Sequence, residues 1–267
     1  MAKNEVAKQK EPSFSVVLTD KLMENKGALP ADFNITRCVQ NSIALLNGND
    51  VLKKYAGQFG TANIMTNILR GAYLGLDALN SEFHLIPYGD KLQFIVDYRG
   101  ARKLMMKYSV KPIADIFAEV VRQGDDYKRW SEDGVQHYKY EPIPFNGGVV
   151  TGAFAVCVYK DGTTLIEELS LKDLEKIRSK SKMGRTGAWA DFTEEMYKKS
   201  AIHRLKKRVS LDFDNDMQKQ IFDEDGAIET GRTVEEAPDI FVESTVVEES
   251  VQESADYELP DFLKPES

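Results

Sequence analysis

Apolar residues recur at helical intervals over the first part of the chain. Between Phe14 and Lys54 they lie three or four positions apart, and the segment Gly27 to Pro30 interrupts the pattern, so two helical stretches are predicted. The repeating positions are Val17, Leu18, Leu22, Ile35, Val39, Ile43 and Leu46. A stronger helical pattern runs from Thr61 to about Asp77, where Gly71 and Gly75 would let another element approach closely.

From residue 83 the apolar period changes from 3.6 residues to 2. Phe83–Tyr88 and Lys91–Val96 flank Gly89-Asp90, a residue pair that is typical of a tight β-hairpin turn. Four more strands are predicted, at Ile113–Arg122, around Val135–Tyr140, at Val149–Tyr159 and at Thr164–Leu169. Three more helices are predicted, at Ala101–Tyr108, at Leu171–Ser179 with Ser170 as N-cap, and from about Ala188 to Ser210. Helices, a sheet with an inserted helix and then more helices indicate an α+β fold.

The charge of the chain changes sign near residue 211. The whole chain holds 35 Lys and Arg against 43 Asp and Glu, a formal net charge of −8. Residues 212–267 contain 18 of the acidic residues and only 3 basic ones, so residues 1–211 carry a net charge of +7. A basic body can neutralise phosphates, and an acidic tail can recruit a partner or compete for the same surface.

These patterns predict three parts of the chain. Residues 1–12 read as a disordered leader, residues 13–222 as one core domain, and residues 223–267 as a disordered acidic tail with too few apolar residues to join a core. Near the end of the tail, Tyr257–Leu263 places apolar side chains in an acidic setting. This segment is either an inert terminus or a short motif that folds onto a partner.

Composition disfavours several functional classes. No run approaches the roughly 18 uncharged apolar residues of a membrane span, and the polar N-terminus lacks an apolar signal core, so a cytoplasmic location is predicted. Cys38 and Cys157 are far apart in the chain. They are predicted to be small buried hydrophobes rather than a disulfide pair or metal ligands.

Catalytic motifs are absent from the sequence. It has no phosphate-binding GxxxxGK[ST] loop and no HExxH or CxxC spacing, so neither a cofactor nor a metal is predicted. Asp125-Asp126 and Glu167-Glu168 are adjacent carboxylate pairs of the kind that a metal-dependent nuclease or another DNA-processing enzyme could use. Because neighbours in a strand point to opposite faces, solvated carboxylates are the simpler interpretation. The nuclease remains the alternative hypothesis.

Two groups of basic residues favour nucleic-acid binding. Arg99, Lys103 and Lys107 are spaced by four on the helix after the first hairpin, with Arg102 adjacent, so these cations are predicted to share one face. The second group spans the loop at residues 180–187 and the final predicted helix, and comprises Lys180, Lys182, Arg185, Lys198, Lys199, Arg204, Lys206, Lys207 and Arg208.

A basic helix stripe is usually no more than a solvated face. In the second group, Lys199, His203 and Lys206 follow one another at helical spacing and would form a single stripe opposite Tyr197, Ala201, Leu205 and Val209. Two basic stripes, a basic loop and a separate acidic tail together favour nucleic-acid binding over solvated faces.

Five short segments form an ordered set of motifs: Ala72–Asp77 (AYLGLD), Leu85–Gly89 (LIPYG), Asp97–Gly100 (DYRG), Gly152–Val156 (GAFAV) and Trp189–Ser200 (WADFTEEMYKKS). Taken in this order, they resemble the RecT family within the RecT/Redβ superfamily of phage single-strand annealing proteins. The similarity covers roughly residues 40–210, and the order and spacing of the motifs are more specific than any one of them. Two positions depart from the family pattern: Arg99 stands where lysine is common and Ser200 where threonine is frequent.

The resemblance implies an ATP-independent recombinase, without a catalytic site, that coats single-stranded DNA as a ring or helical filament and anneals a complementary strand into duplex. It also implies a β-β-β-α core with flanking helices, a partner exonuclease and a contact with host single-strand binding protein. The DNA-binding residues are then expected among Tyr98, Arg99, Arg102, Lys103, Lys107, Lys180, Lys182, Arg185, Lys198, Lys199, Arg204, Lys206 and Lys207. Tyr88, Phe94 and Tyr98 could support sugars or bases. Core packing is the simpler interpretation of Phe94 and an equally good one for the two tyrosines.

Overall fold

A computed structural model of the chain describes residues 12–181, 185 and 188–229. The predicted leader lies outside these residues except for Pro12, and so does the acidic tail from residue 230 onward. Among the residues described, no helix combines the length and apolar character needed to cross a membrane.

Four helices and a hairpin form the N-terminal half. The helices are α1 (Phe14–Glu24), α2 (Ile35–Gly48), α3 (Asp50–Phe59) and α4 (Ala62–Tyr73). The strands β1 (Phe83–Tyr88) and β2 (Lys91–Val96) pair antiparallel in the predicted register, and α5 (Tyr98–Tyr108) follows. Buried side chains of α1 to α5 and of both strands form one hydrophobic core.

The two glycines singled out in α4 and after it allow close approach, as predicted. A Cβ on Gly71 would overlap the ring of Phe83, so α4 packs directly on the hairpin. Gly75 has a φ of +69°, a left-handed conformation, and lies against Pro30. These two positions let the hairpin and the segment before α2 close on α4.

A five-stranded antiparallel sheet forms the second half. Its strands are β3 (Ile113–Arg122), β4 (Asp126–Glu132), β5 (Val135–Glu141), β6 (Val150–Tyr159) and β7 (Thr164–Ser170), in the spatial order β3-β6-β7-β5-β4. The helices α6 (Leu171–Lys180), α7 (Ala188–Asp191), α8 (Thr193–Lys206) and α9 (Asp216–Glu229) follow. A full capping box at Ser170 and Asp173 begins α6, which confirms Ser170 as its N-cap.

The two faces of this sheet are covered differently. Ala153, Ala155 and Cys157 of β6 point to the face on which α6 and α8 pack. Phe154 and Val156 point to the other face, where tyrosines of the β4–β5 hairpin cover them. The α+β class is confirmed, and the expected β-β-β-α core corresponds to β3, β6 and β7 with the helices that follow them.

The structure corrects several predicted elements. The strand β4 is not predicted at all, because its sequence DYKRWSE is polar and carries no apolar alternation. The helix predicted from residue 188 to residue 210 is instead α7 and α8, separated at Phe192, whose backbone is not helical (φ −134°, ψ 47°). The boundary predicted at residue 222 falls inside α9, where Ile221 is buried and Glu224 forms an ion pair with Arg70 of α4.

Candidate nucleic-acid interface

A cleft of about 310 Å³ lies between α5 and α8, above the edge strand β3. It brings together cations from segments about 100 residues apart in sequence. Its walls include Tyr98 and Arg102 from α5, Phe117 from β3, and Glu195, Lys198 and Lys199 from α8. Four residues of the predicted DNA-binding set therefore line one concave surface. We call it the α5–α8 cleft.

Each cation of the cleft is held by an acidic or carbonyl group at its rim. Arg102 donates to the Ile116 carbonyl (3.1 Å) and to Asp115 (2.8 Å), and the bond from Arg102 lowers the pKa of that carboxyl. Lys198 lies 3.1 Å from Glu119 and 3.4 Å from Glu195. These contacts hold the basic side chains in place without burying them.

Burial and nearby acids act on Lys198 in opposite directions. Desolvation disfavours its charged form, but the hydrogen bond and the charge of Glu119 outweigh this effect, so the pKa of Lys198 is raised. The ammonium is therefore fully charged at neutral pH. Its side chain keeps 27% exposure, which leaves it accessible to an anion.

Asp97 connects the cleft to the first hairpin. Its side chain is 8% exposed and caps α5 by accepting the backbone N–H of Arg99. The Oδ2 atom of Asp97 lies 2.6 Å from Nζ of Lys199 and 3.3 Å from Nε2 of His84. Burial alone would raise the pKa of Asp97, but the bonds from His84 and Lys199 and the charge of Lys199 hold it well below its usual range.

A cation–π contact between Arg99 and Tyr98 lies at one side of the cleft. The guanidinium of the exposed Arg99 lies 5.6 Å from the ring centroid of Tyr98, and a bond with Tyr98 raises the pKa of Arg99. The Tyr98 ring is half-buried against the apolar residues between the five-stranded sheet and its covering helices, and it still lines the cleft. Phe94, by contrast, is a buried core residue, and the side chain of Tyr88 lies outside the described part of the structure.

The predicted α5 stripe is divided between two surfaces. Lys103 and Lys107 border a separate pocket of about 240 Å³ next to α2 and α4. Lys103 donates to Glu82 and to the Gly75 carbonyl (2.7 Å each), and Lys107 donates to Asp32 (3.0 Å). The interpretation of the α5 cations as one shared surface is wrong, because Arg102 and these two lysines face different neighbours.

The predicted α8 stripe is also not a single exposed surface. Lys206 is only 2% exposed, with its Nζ 4.7 Å from the ring centroid of Phe222. The expectation of an exposed Lys206 beside Lys199 is wrong, because Phe222 of α9, a helix that the sequence did not predict, packs against its ammonium. His203, between them, is half-buried.

The remaining predicted cations that the structure describes are not among the residues that line the cleft. Arg204 and Arg208 pair with Glu167 of β7, at 3.5 and 2.8 Å. Lys180, Arg185 and Lys207 are exposed, and Lys182 lies outside the described residues. The role of all these side chains in DNA binding stays a prediction.

The carboxylates of the nuclease hypothesis have structural partners. Asp125 braces the loop before β6 through Asn146 (2.9 Å), and Asp126 pairs with Lys139 (2.8 Å). Glu167 pairs with the two arginines above, and Glu168 pairs with Arg129 (2.7 Å). Within the described residues, no group of three or more histidine, cysteine or acidic side chains is placed to hold a metal ion.

Sequence reasoning missed a second exposed aromatic surface together with the strand that carries it. Trp130 of β4 stacks on His137 of β5, with ring centroids 5.4 Å apart, and Lys128 lies 5.9 Å from the Trp130 ring. The indole is 40% exposed. Sequence reasoning also missed the roles of Asp97 and His84, although an Asp directly before a helix could have indicated an N-cap.

A model of the RecT family matches residues 36–240 of the chain, a range that includes all of the α5–α8 cleft. The chain belongs to the RecT family. Protein RecT of Escherichia coli (strain K12) is 34% identical over 166 residues, which cover 58% of this chain and 60% of that protein. The match thus spans less than two thirds of this relative.

The buried position of Lys206 leads to a prediction about stability. Lys206→Ala is expected to lower the free energy of unfolding by about 2 kcal/mol, because the substitution removes the buried stem of the lysine and its contact with Phe222. The salt dependence of DNA binding should stay unchanged. Urea denaturation and DNA titrations at several salt concentrations would check both parts. A flatter salt dependence with unchanged stability would show that Lys206 reaches DNA after all.

Proposed function

We propose that this RecT family member binds single-stranded DNA in the α5–α8 cleft and anneals a complementary strand without nucleotide hydrolysis. The observation that carries the proposal is the convergence of Arg102, Lys198 and Lys199 with Tyr98 on one cleft. The matched family range contains both helices that form it. The protein needs no catalytic residues for this function and no cofactor.

Annealing requires binding and charge neutralisation rather than catalysis. Base pairing and stacking supply the free energy, so the protein need only hold one strand accessible and reduce repulsion between two phosphate backbones. Lysine and arginine serve the second need by releasing counterions from the DNA. The sequence contains no phosphate-binding loop for ATP, which agrees with a reaction that is downhill.

The cleft supplies chemistry for both parts of a single strand. The cations at its rim match phosphate groups, and the Tyr98 ring offers an apolar surface for a sugar or base. The contacts do not read base edges, so binding should be largely indifferent to sequence. An acid partner at each cation keeps the cleft ordered before DNA binds.

An annealing assay tests the proposal. Two complementary oligonucleotides with a donor and an acceptor dye are mixed with the protein in buffer without nucleotide, and energy transfer is followed with time. We expect the protein to accelerate duplex formation, and ATP to leave the rate unchanged. In a parallel reaction with Mg²⁺, strands of full length are expected. Shortened strands would instead favour a nuclease.

We also propose that the working form is a homo-oligomer, a ring or filament on DNA. The first and third helices expose apolar side chains that a neighbouring copy could cover: Val16 and Met23 on α1, and Val51 and Phe59 on α3. Light scattering should therefore give a mass of several subunits in the presence of single-stranded DNA. A single-subunit mass both with and without DNA would contradict this proposal.

The partners implied by the family remain part of the proposal. An exonuclease that generates single strands, and host single-strand binding protein, would supply and clear the substrate in the bacterial cytoplasm. The acidic residues after position 229 would serve as the contact for such partners, since their charge is opposite to that of the cleft.

A further inference from the structure

The strongest feature that the proposed function does not use is the shared carboxylate at Asp97. Three elements meet there: β1 provides His84, the start of α5 provides the amide of Arg99, and α8 provides Lys199. His84 and Lys199 both contact the same oxygen, Oδ2. A cation of the cleft therefore shares its acidic partner with a titratable imidazole outside the cleft.

The exposed fractions of these side chains allow His84 and the DNA phosphates to compete for the partners in this cluster: His84 for Asp97, and a phosphate for Lys199. Lys199 is 29% exposed and lines the cleft, so it lies within reach of a bound anion. His84 is 45% exposed, so solvent reaches its ring. Asp97 is 8% exposed and needs a cation to offset its burial. With neutral His84 that cation is Lys199; with protonated His84 a second positive charge is present.

Other charged or titratable groups near Asp97 lie on or next to the same three elements. Arg99 on α5 is exposed and close enough to Asp97 to interact with its charge. Glu82, two residues before His84, accepts from Lys103 and from the amide of Asp77. On α8, His203 lies one turn after Lys199, so its imidazole is also near the lysine.

We propose that Asp97 and His84 are positioning residues that set how strongly Lys199 engages a phosphate in the cleft. Protonated His84 takes over as the cation of Asp97, and Lys199 turns to the DNA. The affinity for single-stranded DNA therefore rises as the pH falls through the range in which imidazoles titrate, between about pH 8 and pH 5. This inference rests on the proposed function, because it assumes DNA in the cleft.

The test is a titration of a labelled oligo-dT strand by fluorescence anisotropy at pH 8 and pH 6, at one salt concentration. We expect the wild-type protein to bind about fivefold more tightly at pH 6, the lower end of typical coupling between two sites. His84→Gln keeps a hydrogen bond to Asp97 but cannot become charged, so its affinity should be equal at both pH values. Asp97→Asn should also bind equally at both, and more tightly than wild type at pH 8.

Two matched controls separate His84 from the other imidazoles. His137→Gln on the distant β4–β5 hairpin and His203→Gln on α8 should both keep the wild-type pH dependence. The inference is overturned if the wild-type protein binds equally at both pH values, or if His84→Gln keeps the pH dependence. Loss of that dependence in His203→Gln alone would overturn it as well. A wild-type protein that binds no DNA at either pH would contradict the proposed function instead.

Discussion

Replacing both Lys198 and Lys199 by glutamine is expected to weaken single-stranded DNA binding about 30-fold, since two charge-assisted contacts contribute about 1 kcal/mol each. The logarithmic salt dependence should also flatten by about 1.4 units, because each lost phosphate contact removes about 0.7 on a single strand. Annealing should slow in parallel. Titrations at several salt concentrations measure both quantities. Glutamine preserves the stems and can still donate a hydrogen bond to Asp97, and urea denaturation should first show that the fold survives loss of the charge beside that buried carboxylate.

Two lysines outside the cleft provide a matched control. Lys172 and Lys176 lie one helical turn apart on α6 and are exposed. Replacing both by glutamine removes the same charge from the protein, yet the salt dependence should stay within the error of wild type. If both pairs of substitutions reduced the salt dependence of DNA binding equally, binding would depend on the overall charge of the protein and not on the cleft.

Replacing Gly100 by alanine is expected to lower the free energy of unfolding by about 3 kcal/mol or more. A Cβ at this position in the first turn of α5 would overlap the backbone carbonyl oxygen of Glu82. That oxygen accepts the amide of Asp97 (3.0 Å), so the clash would also displace the residue that holds Lys199. The midpoint of urea denaturation should fall, and annealing should fail at temperatures where the wild-type protein is active.

The control for this change is the same substitution at an open position. A Cβ on Gly57 in α3 would meet nothing within 4 Å. Gly57→Ala should therefore stabilise the protein by about 0.5 to 1 kcal/mol through helix propensity. An unchanged denaturation midpoint in Gly100→Ala would mean that α5 and the first hairpin do not pack as closely as described.

The sequence predicts those helices and strands that are determined by a few neighbouring residues, such as a turn pair or an apolar run. The turn at Gly89-Asp90 predicts the hairpin in its observed register, and the apolar residues of β3 predict that strand with its observed ends. The strand β4 has no such signal, because Tyr127 is half-buried through packing on Phe154 of β6 and Tyr140 of β5, contacts that form only in the folded sheet. Its edge position is a property of the whole sheet.

The candidate site is predictable in composition but not in arrangement. Helical spacing places Lys199 and Lys206 on one side of α8, but whether that side faces solvent depends on which element packs there. Here α9 covers Lys206, and the acidic composition around residue 223 favoured a tail over a helix. Likewise, the spacing on α5 cannot show that Arg102 faces the cleft while Lys103 reaches Glu82.

A single strand bound in the α5–α8 cleft would lie against Tyr98, and photocrosslinking detects that contact. A strand with 5-iododeoxyuridine at spaced positions is bound to the protein and irradiated, and the adducts are mapped by mass spectrometry. We expect adducts on Tyr98, the aromatic ring of the cleft beside Arg99. Adducts confined to the Trp130 surface of the β4–β5 hairpin, with none on Tyr98, would contradict binding in the cleft.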